Sequence, residues 1–392
     1  MSLLNEIDDP YARLSKLREL EPVYWSDEVR AWVFTRYDDV ARALRDPRWR
    51  RSAPEGVEVP TWTSDMPAIA SVMGNLFLMM DPPDHTRLRG LVNRAFTPSA
   101  IVAIEARIGE IVDDLLRAVE RRPTFDVIAD FAVPLPATVI AELLGVPVTD
   151  LARFKRWSED FVAVLDFSAG ADWPALEASF GEFATYVLEL ATERRGVKRD
   201  DLLSALGSRH EGDVLTEQEL VSTVILLIVA GHETTTNLIG NGVLTLLRHS
   251  DQLERLRADP ALASTAVEEI LRFEPPVQAT FRLAGEVMVE RGKRIEPGQD
   301  AMFSLAAGNR DPSVFEAPDE FDISRSPNRH LAFGMGAHFC IGSPLARLEG
   351  RIALTSLFAR FPLLRLSPDA GTPAWRPSLT FRGLDRLIVE AR

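Results

Sequence analysis

Apolar residues recur at helical spacing over most of the chain, whereas alternation of apolar and polar residues is confined to short runs. Helices are predicted over residues 84–96, 98–121, 136–144, 149–165, 174–195, 201–206, 216–248, 251–258, 261–273 and 344–360. Strand-like runs cover residues 23–25, 31–35, 280–283, 287–289, 301–304, 379–381 and 387–389. The pattern predicts a mainly α protein with a minor β region.

The longest predicted helix begins at a capping box, Thr216-Glu217-Gln218-Glu219, and continues to about Arg248. About 32 residues at 1.5 Å each give roughly 48 Å, enough to cross a whole domain. No Gly/Ser linker or internal repeat is present, so we expect residues 1–392 to form one domain, with a β-rich part at about 20–60 and a helical core at about 84–360. Prolines between residues 50 and 80 predict an irregular segment there.

Composition argues against several classes of protein. The 46% of hydrophobic and 26% of charged residues are ordinary for a globular protein, and a net charge of −14 argues against nucleic-acid binding. The N-terminal residues lack the features of a signal peptide, and the longest apolar stretch, 221–230, is too short to span a membrane. A single cysteine cannot form an internal disulfide, which fits a reducing compartment. We expect a cytoplasmic protein without a membrane anchor.

The single cysteine, Cys340, lies in a glycine-spaced loop, Phe333-Gly-Met-Gly-Ala-His-Phe-Cys-Ile-Gly342. Gly334 and Gly336 permit positive φ and close approach of the backbone, and Gly342 precedes the next predicted helix. Backbone N–H groups of such a loop can point at the sulfur and keep it charged, which suits a thiolate ligand of iron. The alternative is a buried structural cysteine, since free cysteines are often buried.

A second unusual segment lies in the middle of the longest helix, at Ala230-Gly231-His232-Glu233-Thr234-Thr235-Thr236. Glycine costs about 1 kcal/mol relative to alanine in a helix interior, and threonine hydroxyls can bond carbonyls one turn back. Such local conflict is typical of functional sites. The small residues leave room for a group against the backbone, and Glu233 with Thr234 could pass protons. The alternative is a helix kink with solvated polar residues.

Together these motifs resemble those of the cytochrome P450 superfamily. The loop matches Phe-Gly-x-Gly-x-His-x-Cys-x-Gly at every defined position, and the resemblance extends from about Asp84 to Arg360. It implies the P450 fold, with the long central helix crossing a haem b whose iron is bound by Cys340.

The resemblance also assigns roles to individual residues. Phe333, Ala230 and Gly231 would contact the haem, and Glu233 and Thr234 would deliver protons to bound oxygen. Four residues would bind the haem propionates: His85, Arg89, Arg282 and His338. Glu269 and Arg272, at i and i+3 of one helix, would join Arg325 in a structural network that holds the cysteine loop; the alternative for the first two is a weak surface pair.

Substrate contacts implied by the resemblance are mostly apolar, so a hydrophobic small molecule is expected. They are Trp62, Met66, Phe77, Leu226, Val229, Val277, Gln278, Ala279 and Leu379. Ordinary core packing is the alternative for each of them. The segment from Asp166 to Pro174 is a candidate lid hinge.

The expected function is that of a haem-thiolate monooxygenase, an oxidoreductase that uses O2 to hydroxylate or epoxidise its substrate in secondary metabolism. Because no flavin or iron–sulfur motif is present, electrons from NAD(P)H would arrive through a ferredoxin or flavodoxin with its reductase. A basic docking patch of Arg87, Arg94, Arg347 and Arg351 is hypothesised. Two alternatives remain: a peroxide-driven peroxygenase, against which the Glu233–Thr234 pair argues, and a non-enzymatic haem gas sensor, against which the lack of a second domain argues.

Overall fold

The computed structural model describes residues 8–56, 65–95, 98–166, 171–194, 201–207 and 214–391, without the side chains of residues 94, 95, 98–100 and 148. Within these ranges the chain is mostly helical with small sheets, which confirms the predicted fold class. None of the helices in the described ranges is both long and apolar enough to cross a membrane.

The described helices are α1 Tyr11–Leu20, α2 Tyr37–Ala43, α3 Pro67–Gly74, α4 Asp84–Ala95, α5 Pro98–Val119, α6 Pro134–Leu144, α7 Leu151–Leu165, α8 Trp173–Glu193, α9 Leu202–Leu206, α10 Glu217–Arg248, α11 Ser250–Ala258, α12 Ala263–Phe273, α13 Leu305–Gly308 and α14 Ser343–Arg360. The strands are β1 Val23–Ser26, β2 Ala31–Phe34, β3 Trp49–Arg50, β4 Thr124–Asp126, β5 Ala279–Ala284, β6 Met288–Glu290, β7 Lys293–Ile295, β8 Asp300–Ser304, β9 Arg365–Leu366 and β10 Ile388–Glu390. Short 3-10 turns at Phe77–Met79 and Gly336–His338 and a π-helical turn at Ile128–Ala132 flank the candidate residues.

Every predicted helix is present, with ends shifted by a few residues, because its start and stop signals are local in sequence. The capping box of α10 forms as predicted. The Thr216 N–H donates to Glu219 Oε2 at 2.8 Å, and the Glu219 N–H donates to Thr216 Oγ1 at 3.2 Å. α10 is continuous through the Ala230–Thr236 segment.

The sequence predictions were wrong in three places. The segment predicted to be irregular contains α3, whose first N–H groups, those of Ala68 and Ile69, donate to the carboxylate of Glu177 on α8 at 2.6 and 3.0 Å. A cap from a residue so far along the chain leaves no local signal. The predicted strand at 379–381 is only an isolated bridge between Phe381 and Val277. Several short elements were not predicted at all: α1, α2, α13, β3, β4, β7 and β9.

One compact unit of the chain comprises Met1–Val57, Glu105–Leu135 and Thr234–Arg392. All ten described strands belong to it. The main sheet has the order β1-β2-β8-β5-β3, in which only the β2–β8 pair is parallel, and the smaller sheets are β4-β10-β9 and β6-β7. Its core includes Phe34, Trp49 and Phe303, whose rings meet edge to face at centroid distances of 5.0 to 5.5 Å.

The other unit comprises Glu58–Ile104 and Pro136–Glu233, and its described residues form helices and connecting segments without a strand. α7 packs on α8 through two stacked aromatic pairs. Trp157 lies on Phe183 with centroids 4.5 Å apart, and Phe161 lies on Phe180 at 5.6 Å. The single-domain prediction for residues 1–392 stays a prediction.

The cysteine loop lies directly against the backbone that follows α2. Gly334 and Gly336 have φ of +66° and +70°, a region that side chains strain. A Cβ at Gly336 would also collide with the carbonyl oxygen of Leu44. Position 336 therefore requires glycine, both for its positive φ and for its close contact with Leu44. This contact holds the cysteine loop against the backbone that follows α2.

We predict that Gly336→Ala destabilises the protein more than Gly371→Ala. Gly371 has a matching φ of +72° but nothing within 4 Å of its Cβ position, so this control carries only the backbone strain. Overpacking against Leu44 should cost Gly336→Ala roughly 1–3 kcal/mol more. The measurement is the free energy of urea unfolding of both variants; equal losses would show that the close contact has no energetic role.

α14 contains a fully buried acid, Glu349. Its Oε2 has no hydrogen-bond partner in the described part of the chain, and burial raises the pKa of the Glu349 carboxyl well above its usual range. The neighbouring Gly350 has its Cβ position 3.1 Å from Leu238 and 3.5 Å from Val267, so α14 packs tightly here. Burial of this carboxyl thus favours its neutral form in the folded protein.

We predict that Glu349→Gln is increasingly stabilising, relative to the wild type, as pH rises above about 4.5. Above that value the unfolded carboxyl ionises while the folded one stays neutral, so the wild type loses about 1.4 kcal/mol per pH unit until the raised folded pKa is reached. At pH 4 both states are protonated and this difference should vanish. Unfolding free energies at pH 4, 6 and 8 test the prediction, and a pH-independent difference would contradict it.

Candidate active site

Cys340 is presented from its loop with an exposed side chain. Its backbone N–H donates to the carbonyl of Phe333 at 2.9 Å, which closes the loop, and the Gly334 N–H donates to Leu331 at 2.7 Å. A Cβ at Gly342 would lie 4.0 Å from Cys340 Sγ, so position 342 borders the sulfur. An accessible thiol in a closed loop is arranged as a ligand, and this accessibility argues against the buried structural cysteine.

The middle of α10 has one open face. From Val221 to Leu246 every residue is buried except Ala230, which is exposed, and Gly231 and Thr234, which are half-buried. Ala230 and Thr234 are one turn apart and share a face. A Cβ at Gly231 would lie 3.1 Å from Ile140 Cγ1, so a larger residue would displace Ile140. The face suits a group that lies flat against the helix.

The polar residues of this segment are held in specific ways. The Thr236 hydroxyl donates to the carbonyl of Ala132, in the π-helical turn, at 3.0 Å. This contact differs from the predicted bond to a carbonyl one turn back in the same helix. Glu233 is buried, with 5% of its surface exposed, whereas the adjacent Thr234 is half-buried. An acid enclosed next to a more accessible alcohol is an arrangement that can hold and pass a proton.

Several candidates of the first unit come together beside the main sheet. Val277 bridges to Phe381, and the Gln278 N–H donates to the Thr380 carbonyl at 2.8 Å. Ala279 and Leu379 belong to one apolar cluster. The structure thus joins the predicted substrate-contact segment 277–279 to the segment that contains Leu379.

The candidate propionate ligands of this unit are Arg282 and His338. Arg282 is 5% exposed, and its Nη1 donates to Thr280 Oγ1 at 3.1 Å and to the Phe281 carbonyl at 2.7 Å. His338 ends the 3-10 turn before Cys340 and is half-buried. These bonds to neutral oxygens orient the guanidinium of Arg282.

In the second unit, His85 is buried on α4 with its ring 6.4 Å from that of Phe77, and Arg89 is half-buried one turn further on. Leu226 and Val229 are buried on α10. Met66 precedes α3 and is half-buried. Trp62 lies outside the described residues, as do residues 167–170 of the candidate hinge.

The three candidate structural residues meet in one ion-pair network. Glu269 and Arg272 are both fully buried, with Arg272 Nη2 2.7 Å from Glu269 Oε1 and Arg272 Nε 2.8 Å from Oε2. Arg325 Nε donates to Glu269 Oε1 at 3.2 Å. Further donors, on Asn328 and the Asp322 backbone, complete the carboxylate's bonds. Such full pairing offsets the desolvation cost of the buried charges.

Sequence reasoning missed the adjacent acid, Glu268. Arg347 donates to its carboxylate twice, from Nε to Oε1 at 2.6 Å and from Nη2 to Oε2 at 2.9 Å. His330 Nε2 lies 3.0 Å from Glu268 Oε2. Burial favours the neutral acid, but the hydrogen bonds from His330 and Arg347 outweigh it and lower the pKa of Glu268 to about 2. These partners lie 62 and 79 residues along the chain, so no local pattern indicated the site.

Three of the four hypothesised docking arginines have acidic partners. Arg87 pairs with Glu219, Arg347 with Glu268, and Arg351 with Glu105 at 2.7 Å. The side chain of Arg94 lies outside the described atoms. Three of the four positive charges are therefore balanced locally, which weakens this patch as an attractor for an acidic partner.

Comparison of the sequence with known proteins identifies the family to which the chain is related. The Cytochrome P450 family model matches residues 33–374. The "Polyketide biosynthesis cytochrome P450 PksS" of Bacillus subtilis is 39% identical over 97% of this chain and 95% of its own length. The "Vitamin D(3) 25-hydroxylase" of Pseudonocardia autotrophica is 42% identical, covering 97% of this chain and 93% of the relative.

Among solved structures, P450BioI, in a crystal structure described as a complex with "hexadec-9Z-enoic acid ligated Acyl Carrier Protein", superposes with a TM-score of 0.92 at 39% identity, over 98% of both chains. A family match over most of the chain and relatives aligned over nearly their full length determine the assignment. This protein belongs to the cytochrome P450 family and is a haem- and O2-dependent monooxygenase.

Proposed function

We propose that this protein hydroxylates or epoxidises a hydrophobic small molecule in secondary metabolism, at a haem b whose iron is bound by Cys340. The observation that carries the proposal is the exposed thiol of Cys340 in a closed glycine loop, since this is the donor set that a haem iron requires. The open face of α10 at Ala230 and Thr234 fits a flat macrocycle. When bound, the haem supplies the O2 chemistry.

The chain's own residues bind and orient in this proposal. Cys340 donates electron density from its thiolate, and Phe333 packs at the loop. Arg282 and His338 of the first unit, with His85 and Arg89 of the second, hold the two propionates, whose negative charges need hydrogen-bonding partners when buried. The Glu269 network holds the loop in place.

Proton delivery is assigned to Glu233 and Thr234. The carboxyl of Glu233 is buried beside the hydroxyl of Thr234, and this hydroxyl lies on the open face of α10, where it can pass protons onward. A peroxide-driven enzyme needs no such delivery, because peroxide brings both protons and electrons. This pair therefore favours O2 over peroxide as the co-substrate.

The substrate class follows from the apolar residues and from the relatives. Leu226, Val229, Ala279 and Leu379 offer hydrocarbon contacts. The names of the relatives refer to polyketide biosynthesis, to vitamin D3 and to a fatty acid on a carrier protein. Polyketides, vitamin D3 and fatty acids all have extended apolar groups. We infer an apolar, extended substrate of comparable size.

We predict that Thr234→Ala retains the haem and its carbon monoxide difference spectrum but loses at least about 100-fold in turnover supported by O2 and reductase, because proton transfer is impaired. Turnover supported by hydrogen peroxide should persist. Cys340→Ser should lose the thiolate-type spectrum and both activities. Product formation from a panel of apolar substrates is the measurement.

The matched control is Thr235→Ala, which removes a neighbouring threonine from the buried side of the same helix and should retain O2-supported turnover. Unchanged spectrum and turnover in Cys340→Ser would overturn the proposal. Activity with peroxide alone, unaffected by Thr234→Ala, would replace the monooxygenase by a peroxygenase.

The electron donor is proposed to be an acidic ferredoxin or flavodoxin, supplied with electrons from NAD(P)H, that docks in a groove beside the cysteine loop. The groove has a volume of about 870 Å³ and is lined by Tyr37, Asp38, Ala41, Arg42, Arg45, Asp46, Arg329, His330 and Met335. Arg45 and Arg329 are exposed there and have no carboxylate partner among the described side chains. Their charges remain available to an acidic protein.

We predict that the double charge reversal Arg45→Glu with Arg329→Glu slows haem reduction by an acidic donor at least tenfold at low salt and flattens the salt dependence, because steering is lost. Reduction by dithionite should be unchanged. Arg386→Glu, a single charge reversal in the segment before β10, is the control, and each single reversal, Arg45→Glu and Arg329→Glu, is compared with it. Unchanged kinetics would contradict this docking site, and a loss confined to carrier-bound substrates would assign the groove to a carrier protein.

A further inference from the structure

Two adjacent acids of α12, Glu268 and Glu269, anchor the segment that leads to Cys340, and they use separate partners. Glu269 binds Arg272, Arg325 and Asn328. Glu268 binds His330 and Arg347 and has no contact in common with the first set. The segment is therefore held at two points, one on each side of Arg329.

The hydrogen bonds of His330 determine its tautomer. Its Nδ1 accepts from the backbone N–H of Ala332 at 3.2 Å, so this nitrogen carries no proton. The proton of the neutral ring is then on Nε2, which donates to Glu268 at 3.0 Å. The ring is 3% exposed and bridges the carboxylate to the backbone where the cysteine loop begins.

Arg347 connects the same carboxylate to the ring of Phe333. Its planar guanidinium binds Glu268 through two nitrogens and also lies 4.5 Å from the centroid of Phe333. Such a stacked cation attracts the ring face. The carbonyl of Phe333 in turn accepts the N–H of Cys340 at 2.9 Å. A continuous series of contacts thus runs from Glu268 to the backbone of the cysteine.

We propose that Glu268 is a positioning residue for the Cys340 ligand: through His330 and Arg347 it fixes Phe333, and with it the hydrogen bond that closes the cysteine loop. This inference rests on the proposed role of Cys340 as the haem ligand. It assigns Arg347 to the support of the loop, in place of the docking role hypothesised from the sequence.

The test uses the holoenzyme and two variants. Glu268→Gln keeps the shape and an acceptor for His330 but loses the charge that holds Arg347. Arg347→Lys keeps the charge opposite Glu268 but lacks the planar group that binds with two nitrogens and stacks on Phe333. If Glu268→Gln does not fold, Arg347→Lys alone tests the proposal. The control is Arg360→Met. Arg360 lies on the same helix as Arg347, but its guanidinium pairs with Asp113 and Glu120, away from the loop.

Two measurements separate positioning from general stability. Amide hydrogen exchange over residues 331–342 should be at least tenfold faster in both variants, and unchanged in the control. In a urea titration, the thiolate-type carbon monoxide difference spectrum should disappear before the helical circular dichroism signal in the variants, whereas both signals should change together in the wild type and in Arg360→Met.

Exchange rates equal to those of the wild type, or spectral and helical transitions that still coincide in both variants, would overturn the role of Glu268. Such a result would leave the proposed function intact. The proposed function fails separately, if the wild type itself has no thiolate-type spectrum.

Discussion

The buried ion pair between Glu269 and Arg272 is the interaction that holds the segment before the cysteine loop. Both side chains have no exposed surface, so neither charge is solvated by water. Arg272 also donates to the carbonyls of Asn309, Pro318 and Glu320, at 3.1, 2.6 and 2.8 Å. The irregular segment before the loop therefore obtains its order from a guanidinium on a helix, because its own backbone forms few regular hydrogen bonds.

Close backbone contact provides the second constraint on the loop. Gly336 lies directly against the carbonyl of Leu44, and only a residue without a side chain fits there. This close contact, rather than regular secondary structure, fixes its position. Charges hold the segment before the loop and steric fit holds the loop itself. The two constraints act on different parts of residues 309–342, so Cys340 is presented from a rigid base although its side chain is exposed.

The sequence predicted what local signals determine. The residues that determine the capping box at Thr216 and the glycine loop around Cys340 are close together in the sequence. Both features are present as expected. Contacts between distant residues had no such signal. α3 depends on Glu177, more than a hundred residues away, and Glu268 finds its partners in two later segments. Spacing identified Glu269 with Arg272, but nothing in the spacing showed that the pair is buried.

The charges show why the net charge of the chain is a poor guide to its interactions. The chain has 44 basic and 58 acidic side chains, yet several arginines lie near the cysteine loop or the segment before it. Some of these, such as Arg272 and Arg347, are bound to acids and act inside the protein. Others, such as Arg45 and Arg329, have no carboxylate partner in the described part of the chain. Charges of the second kind contribute most to the field that an approaching protein senses, so an acidic chain can still present a local basic surface.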